Sequence, residues 1–204
     1  MLRDKVKIGV MVSGGGTNLQ ALIDAQKSGI IESGEIVLVL SNKADAYALE
    51  RGKAAGIATE VVLKSECKDS EEFEARLIDA LEKAQVELIV LAGFMSILSK
   101  NFTDKYKNRI LNVHPSLIPS FCGEGFYGLR VHRAALEKGV KVSGATVHFV
   151  NEIPDGGEII MQKAVEVEEG DTPETLSKRI LENAEWKILP ASTELVAKRI
   201  LESK

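Results

Sequence analysis

Lys7-Ile8-Gly9-Val10-Met11-Val12-Ser13-Gly14-Gly15-Gly16-Thr17-Asn18-Leu19-Gln20 is the stretch on which the fold turns. Lys7–Val12 is an apolar run of strand length. It breaks into a glycine-rich turn, and Leu19, Leu22 and Ile23 then return at helical spacing as far as Lys27. Strand, glycine turn and helix together offer backbone N–H groups and a helix N-terminus to an anion. No Gly-Lys-Ser/Thr follows, so the turn is not a Walker A loop. Leu19 stands where a dinucleotide fingerprint requires its last glycine. The next strand, Glu35–Leu40, leads into Ser41-Asn42-Lys43, with no acid placed to grip a ribose. A single phosphate is favoured over a dinucleotide; the alternative is a tight turn with helix capping by Thr17 or Asn18.

Outward from this unit the alternation repeats. Ala46–Ala55 is helical with Gly56 as its stop, Thr59–Leu63 is a strand, and Ser70–Lys83 is a helix with Phe73, Leu77, Ile78 and Leu81 on one face. Leu88–Ala92 is continuously apolar, as a central parallel strand should be. Asn101–Asn108 reads as a helical crossover and Arg130–Glu137 as a helix that carries His132 as a surface or packing residue. Beyond residue 140 two strands, Val140–Val150 and Glu158–Val167, lie close enough to form an antiparallel hairpin. Thr172-Pro173-Glu174 then opens a helix, and Pro190 is expected to break or kink the helical run from Leu176 to Leu201. The expectation is one α/β domain over residues 1–204: a doubly wound, mostly parallel sheet with helices on both faces and an antiparallel hairpin toward the C-terminus. Ligands then gather at the carboxyl ends of the strands.

Composition sets bounds. The chain has 204 residues, 45% of them apolar and 27% charged, and a net charge of −4, so it carries no basic footprint for nucleic acid. Cys67 and Cys122 lack metal-ligand spacing, and the three histidines fall in no zinc motif, so no metal is expected. Arg3, Asp4 and Lys5 precede a run too short for a signal peptide. No span approaches ~20 apolar residues, so a cytoplasmic protein without a membrane segment is expected.

The chemistry concentrates in Ile110–Gln162, which holds all three histidines, His114, His132 and His148. Ile110, Leu111 and Val113 form a buried strand that Pro115 ends. Asn112 and His114 alternate by two and so share a face. An amide donor beside a switchable imidazole is a reaction site in outline; taken singly, Asn112 is a turn former and His114 a satisfied structural histidine. Asp155, ahead of Gly156 and Gly157, is either a turn aspartate or a carboxylate that orients an imidazole. The glycine-rich insert Cys122–Gly128 is either a closing loop or a plain surface excursion.

Leu111-Asn112-Val113-His114-Pro115-Ser116-Leu117-Ile118-Pro119-Ser120-Phe121 resembles the signature of the folate-dependent formyltransferases. So do Gly144–Val150 with Asp155–Gln162, Ser13–Gln20, Ser41–Ala46 and Leu91–Met95, in the same order along the chain. Within that family the combination is similar to the branch that formylates phosphoribosylglycinamide in purine synthesis. The resemblance runs from about Val6 to about Pro190 and implies the formyltransferase fold. It implies transfer of the formyl group of 10-formyltetrahydrofolate, as co-substrate and without metal, to the substrate amine. It assigns catalysis to Asn112, His114 and Asp155, with His114 acting as imidazolium. The substrate phosphate falls to the backbone of Gly16, Thr17 and Asn18, and the folate to Met95, Ser96, Ile97, Leu98 and Asn112. By residue type alone Met95, Ile97 and Leu98 are core residues. His148 and Ser70 are supporting candidates, Ser70 or nearby Lys68 for the folate tail. Relatives often continue past the last helix with substrate contacts, for which Arg199 and Lys204 are the stand-ins. Small-molecule partners only are implied, with a monomer or homodimer. A formyltetrahydrofolate hydrolase, a methionyl-tRNA formyltransferase and a non-catalytic phosphate-binding module are the rival readings. The second of these would be expected to add a nucleic-acid-binding domain.

Overall fold

The computed structural model describes residues 5–204. β1 (Val6–Val12), β2 (Gly34–Ser41), β3 (Ala58–Val61), β4 (Leu88–Leu91), β5 (Ile110–His114), β6 (Val142–Phe149) and β7 (Ile159–Glu166) form one sheet in the order β3-β2-β1-β4-β5-β6-β7. The first five strands are mutually parallel, and β6 and β7 are antiparallel additions. The doubly wound sheet and its C-terminal hairpin are as the sequence leads one to expect. The chain leaves β1 toward β2 and β3 and returns on the other side to β4. That reversal opens a crevice beyond the carboxyl ends of β1 and β4.

Alternation along β1 splits the core in two. Val6, Ile8, Val10 and Val12 face one layer, which holds α1 (Thr17–Lys27), α2 (Tyr47–Ala54), α6 (Pro173–Ile180) and α7 (Trp186–Glu202). Met11 faces the other, with α3 (Ser70–Lys83) and α4 (Lys100–Lys105). In α3, Phe73, Leu77 and Leu81 are buried at helical spacing, and Asp69 caps the helix by accepting from the Glu72 N–H. Leu77 is fully buried, and truncating it to Ala would cost about 2–5 kcal/mol. α5 (Leu129–Lys138) ends on Gly139 in the left-handed conformation. His132 lies on it, buried and packed. Among the described residues no helix is long and apolar enough to cross a membrane.

The expected break at Pro190 is not there. α7 runs through Pro190, and the interruption is a π turn at Leu181–Glu185. An α-helical N–H at position 190 would bond to the carbonyl of Trp186, the residue where the wide turn hands over to α7. The donor that proline lacks therefore falls where the hydrogen-bond register is already changing. The wide turn also answers a spacing in the sequence. Leu176, Ile180, Ala184 and Ile188 are all buried, four residues apart, and each such step overshoots a 3.6-residue turn by about 0.4 residue.

Candidate active site

β5 carries Asn112 and His114 on one face and delivers them to the crevice. β6 runs antiparallel beside it, with His148 directly opposite Asn112. The β6–β7 connection brings in Asp155, in the left-handed region at φ 54°. Four polar side chains from three places in the chain thus meet. The His114 Nδ1 lies 3.4 Å from Asp155 Oδ2, the His148 Nε2 lies 3.5 Å from Asp155 Oδ1, and the Asn112 Nδ2 lies 3.2 Å from His148 Nε2.

Backbone carbonyls orient both rings. The His114 Nε2 is 2.9 Å from the Phe121 carbonyl and the His148 Nδ1 is 2.8 Å from the Phe149 carbonyl. A carbonyl only accepts, so each of these nitrogens carries a proton. In the neutral rings, His114 keeps a lone pair at Nδ1 facing Asp155, and His148 accepts the Asn112 amide N–H at Nε2. Asn112 is thereby held with its nitrogen toward His148. Glycine makes the second carbonyl available: a Cβ at Gly157 would lie 1.7 Å from the Phe149 oxygen.

Burial sets the charge state. Desolvation lowers the His114 pKa, against the attraction of Asp155. That direction disfavours the charged form in the resting ring, whereas the resemblance implies an imidazolium at this position. Burial pushes the Asp155 carboxyl up, but the adjoining His148 ring, the Gly123 N–H at 2.9 Å and the nearby His114 outweigh it, and its pKa is lowered overall. Burial, with His114 adding to it, lowers His132 to about 4. The segment after β5 is part of this assembly. Thr146 Oγ donates to the Ser116 carbonyl at 2.7 Å and accepts from the Ile118 N–H at 3.1 Å. The chain is thereby guided so that Phe121 reaches His114 and Gly123 reaches Asp155. The first residues of the Cys122–Gly128 insert hold the acid and are not a plain excursion.

A cleft opens over this group. Its apolar wall includes Leu91, Phe94, Leu98, Val150, Ile153 and Pro154, and Ser96, Asn112, His148, Asn151 and Asp155 supply polar edges. Of the residues linked with folate, Ser96, Ile97, Leu98 and Asn112 line the cleft and Met95 does not. The core reading of this segment holds only for Leu98, which is buried: Met95 is 57% and Ile97 79% exposed. The reason is that the chain turns away from the sheet at Gly93, in the left-handed conformation at φ 77°. Ser70 opens α3 outside the cleft lining, and Lys68 pairs with Asp69 at 3.8 Å.

The glycine turn borders the same crevice. Ser13 Oγ donates to Asn42 Oδ1 at 2.7 Å and accepts the Met95 N–H at 2.8 Å, and Asn42 Nδ2 donates to Ser96 Oγ at 2.9 Å. These bonds tie the ends of β1, β2 and β4 together. Gly16 is the N-cap of α1, and no side chain caps that helix, so neither Thr17 nor Asn18 does what a plain capped turn requires. Asn18 instead donates to the buried Glu185 at 2.7 Å. Burial raises the Glu185 pKa, opposed by that bond. Sequence reading missed Glu185; its signal is an acid next to Ala184, which belongs to the buried stripe from Leu176 to Ile188. The stand-ins Arg199 and Lys204 are misplaced. Lys204 pairs with Glu87 at 2.6 Å, just ahead of β4, and Arg199 lines a separate depression together with Lys107, Asn108 and Arg109, just ahead of β5. Both sit at the amino ends of the strands because α7 runs away from the crevice.

The doubly wound sheet, with this polar group beyond the carboxyl ends of its strands, is an arrangement shared with a known family. Residues 6–193 match the model of the formyl transferase family, and the chain belongs to that family. It is 49% identical over 95% of its length to the trifunctional purine biosynthetic protein adenosine-3 of Gallus gallus, of which it spans 19%. The phosphoribosylglycinamide formyltransferase of Escherichia coli is 43% identical, over 86% of this chain and 80% of that protein. The crystal structure of glycinamide ribonucleotide transformylase 1 from Symbiobacterium toebii superimposes with a TM-score of 0.89 at 44% identity, covering 96% of this chain and 89% of that one.

Proposed function

We propose that this chain, as a single formyltransferase domain, transfers the formyl group of 10-formyltetrahydrofolate to the amine of phosphoribosylglycinamide. The observation that carries the reading is the joined set Asn112, His114, His148 and Asp155 beneath an apolar-walled cleft. The names of the relatives support the same acceptor. A pterin is flat and suits the cleft's apolar walls and polar edge. The ribonucleotide phosphate lies at Gly16, Thr17 and Asn18, across the crevice.

The substrate amine attacks the formyl carbon, and the carbonyl oxygen becomes an oxyanion. Asn112, its nitrogen held by His148, gives its second N–H to that oxygen; such a donor is worth about two to three orders of magnitude in rate. The attacking nitrogen must shed a proton. The His114 Nδ1 lone pair, facing a carboxylate, is built to receive it, directly or through one water. The imidazolium so formed pairs with Asp155 and returns the proton to the departing folate nitrogen. In this scheme His114 gains its charge during turnover.

The test is to mix purified protein with 10-formyltetrahydrofolate and follow deformylation with and without the ribonucleotide. Turnover that depends on phosphoribosylglycinamide is expected. Formate released without it would indicate a hydrolase, and folate binding without turnover a binding module.

A further inference from the structure

The glycine turn contains one hydrogen bond that the site described above does not use. In a trans peptide the C=O and the following N–H point in opposite directions, so whatever holds a carbonyl also aims an amide. The Gly14 carbonyl accepts the Ala48 N–H at 3.0 Å, and the Gly16 carbonyl accepts the Gln20 N–H at 2.9 Å. Between them, the Gly15 carbonyl accepts from Arg51 Nε at 2.8 Å. The N–H groups of Gly15, Gly16 and Thr17 are accordingly turned away from α2 and α1 toward the crevice. A Cβ at Gly14 or Gly15 would meet nothing within 4 Å, so that side of the turn is open. Consecutive amides aimed one way around a left-handed residue form an anion-binding nest.

Two of the three carbonyls are held by backbone donors, which no substitution removes. The middle one is held by a side chain. Arg51 is itself fixed from two sides: its Nη1 donates to Gln20 Oε1 at 3.0 Å, and its guanidinium lies 5.1 Å from the Tyr47 ring centroid. We infer that Arg51 is a positioning residue for the phosphate of the acceptor substrate, acting through the Gly15–Gly16 peptide by its Nε hydrogen bond. The inference rests on the reading of this turn as the phosphate cradle.

The test compares Arg51→Lys with Arg51→Met. Lysine keeps the positive charge but has no donor at the Nε position, and methionine keeps only the stem. If the bond to the Gly15 carbonyl is what matters, both variants raise KM for the ribonucleotide about tenfold, the loss of one good hydrogen bond to a charged group. kcat and KM for 10-formyltetrahydrofolate stay within twofold. Inorganic phosphate, competitive against the ribonucleotide in the parent protein, weakens as an inhibitor by the same factor in both. A lysine variant indistinguishable from the parent overturns the positioning role and leaves only a charge effect. A fall in kcat or a rise in folate KM as large as that for the ribonucleotide also overturns it. If phosphate does not compete in the parent protein, the cradle itself is refuted, an outcome distinct from parent inhibition with unchanged variants.

Discussion

Replacing Asp155 with Asn tests the proton path most directly. The side chains have the same shape, and an Asn oxygen still accepts the Gly123 N–H that Asp155 takes at 2.9 Å, so the loop stays in place. The full charge beside His114 is lost. A unit pair 3.4 Å apart is worth about 5 kcal/mol at an effective dielectric constant of about 20. The Asp155 side chain is 12% exposed, and solvent takes part of that. A remaining loss of about 4 kcal/mol in the transition state, where His114 becomes charged, corresponds to roughly a thousandfold in kcat. In this scheme the ground state holds a neutral His114, so KM for both substrates changes by no more than about threefold. Steady-state kinetics with each substrate varied, alongside a thermal melt, measures this. A kcat within tenfold of the parent, or a loss confined to KM, would refute the charging of His114 during turnover.

Three further outcomes are expected. Gly16→Val places a branched side chain at φ 73°, with its Cβ 2.6 Å from that of Ala48; stability falls by about 1–3 kcal/mol, and KM for the ribonucleotide rises at least tenfold, so an unchanged melt and KM would remove the turn from the scheme. His132, lowered to about 4 from an ordinary 6.5, binds fewer protons folded than unfolded, so its contribution is full above pH 6.5 and declines as pH falls toward 4. Urea unfolding should show parent minus His132→Leu stability dropping by about 3 kcal/mol over that window, and parallel curves would count against it. Glu185→Leu leaves the Asn18 amide without its acceptor and should weaken competition by inorganic phosphate severalfold while sparing folate KM; equal inhibition in both proteins would detach Glu185 from the cradle.

The parallel half of the sheet was legible because buried strands are written as continuous apolar runs, Leu88–Leu91 most plainly, with glycines at the turns. The meeting of Asn112, His114 and Asp155 could be anticipated only from the resemblance, since no local pattern says that a turn aspartate reaches a strand histidine. What escaped were effects of packing. The lowered pKa of His114 follows from burial, which motif residues do not display. The partnership of Asn18 with Glu185 spans most of the chain. Pro190 misled because its steric rule is strong locally and was overridden by a register change a few residues earlier, which the four-residue spacing from Leu176 to Ile188 would have revealed.

That wide turn has a consequence for chain length. A wide turn takes up one residue more than an α-helix over nearly the same rotation, so deleting exposed Glu182 or Asn183 would let an ordinary helix close with α6 and α7 still facing the sheet. Forcing α geometry on all five residues would instead twist α6 about 100° relative to α7 and swing Leu176 and Ile180 off the sheet. The segment is a link with one unit of slack, and losing that unit should be tolerated better than a further insertion.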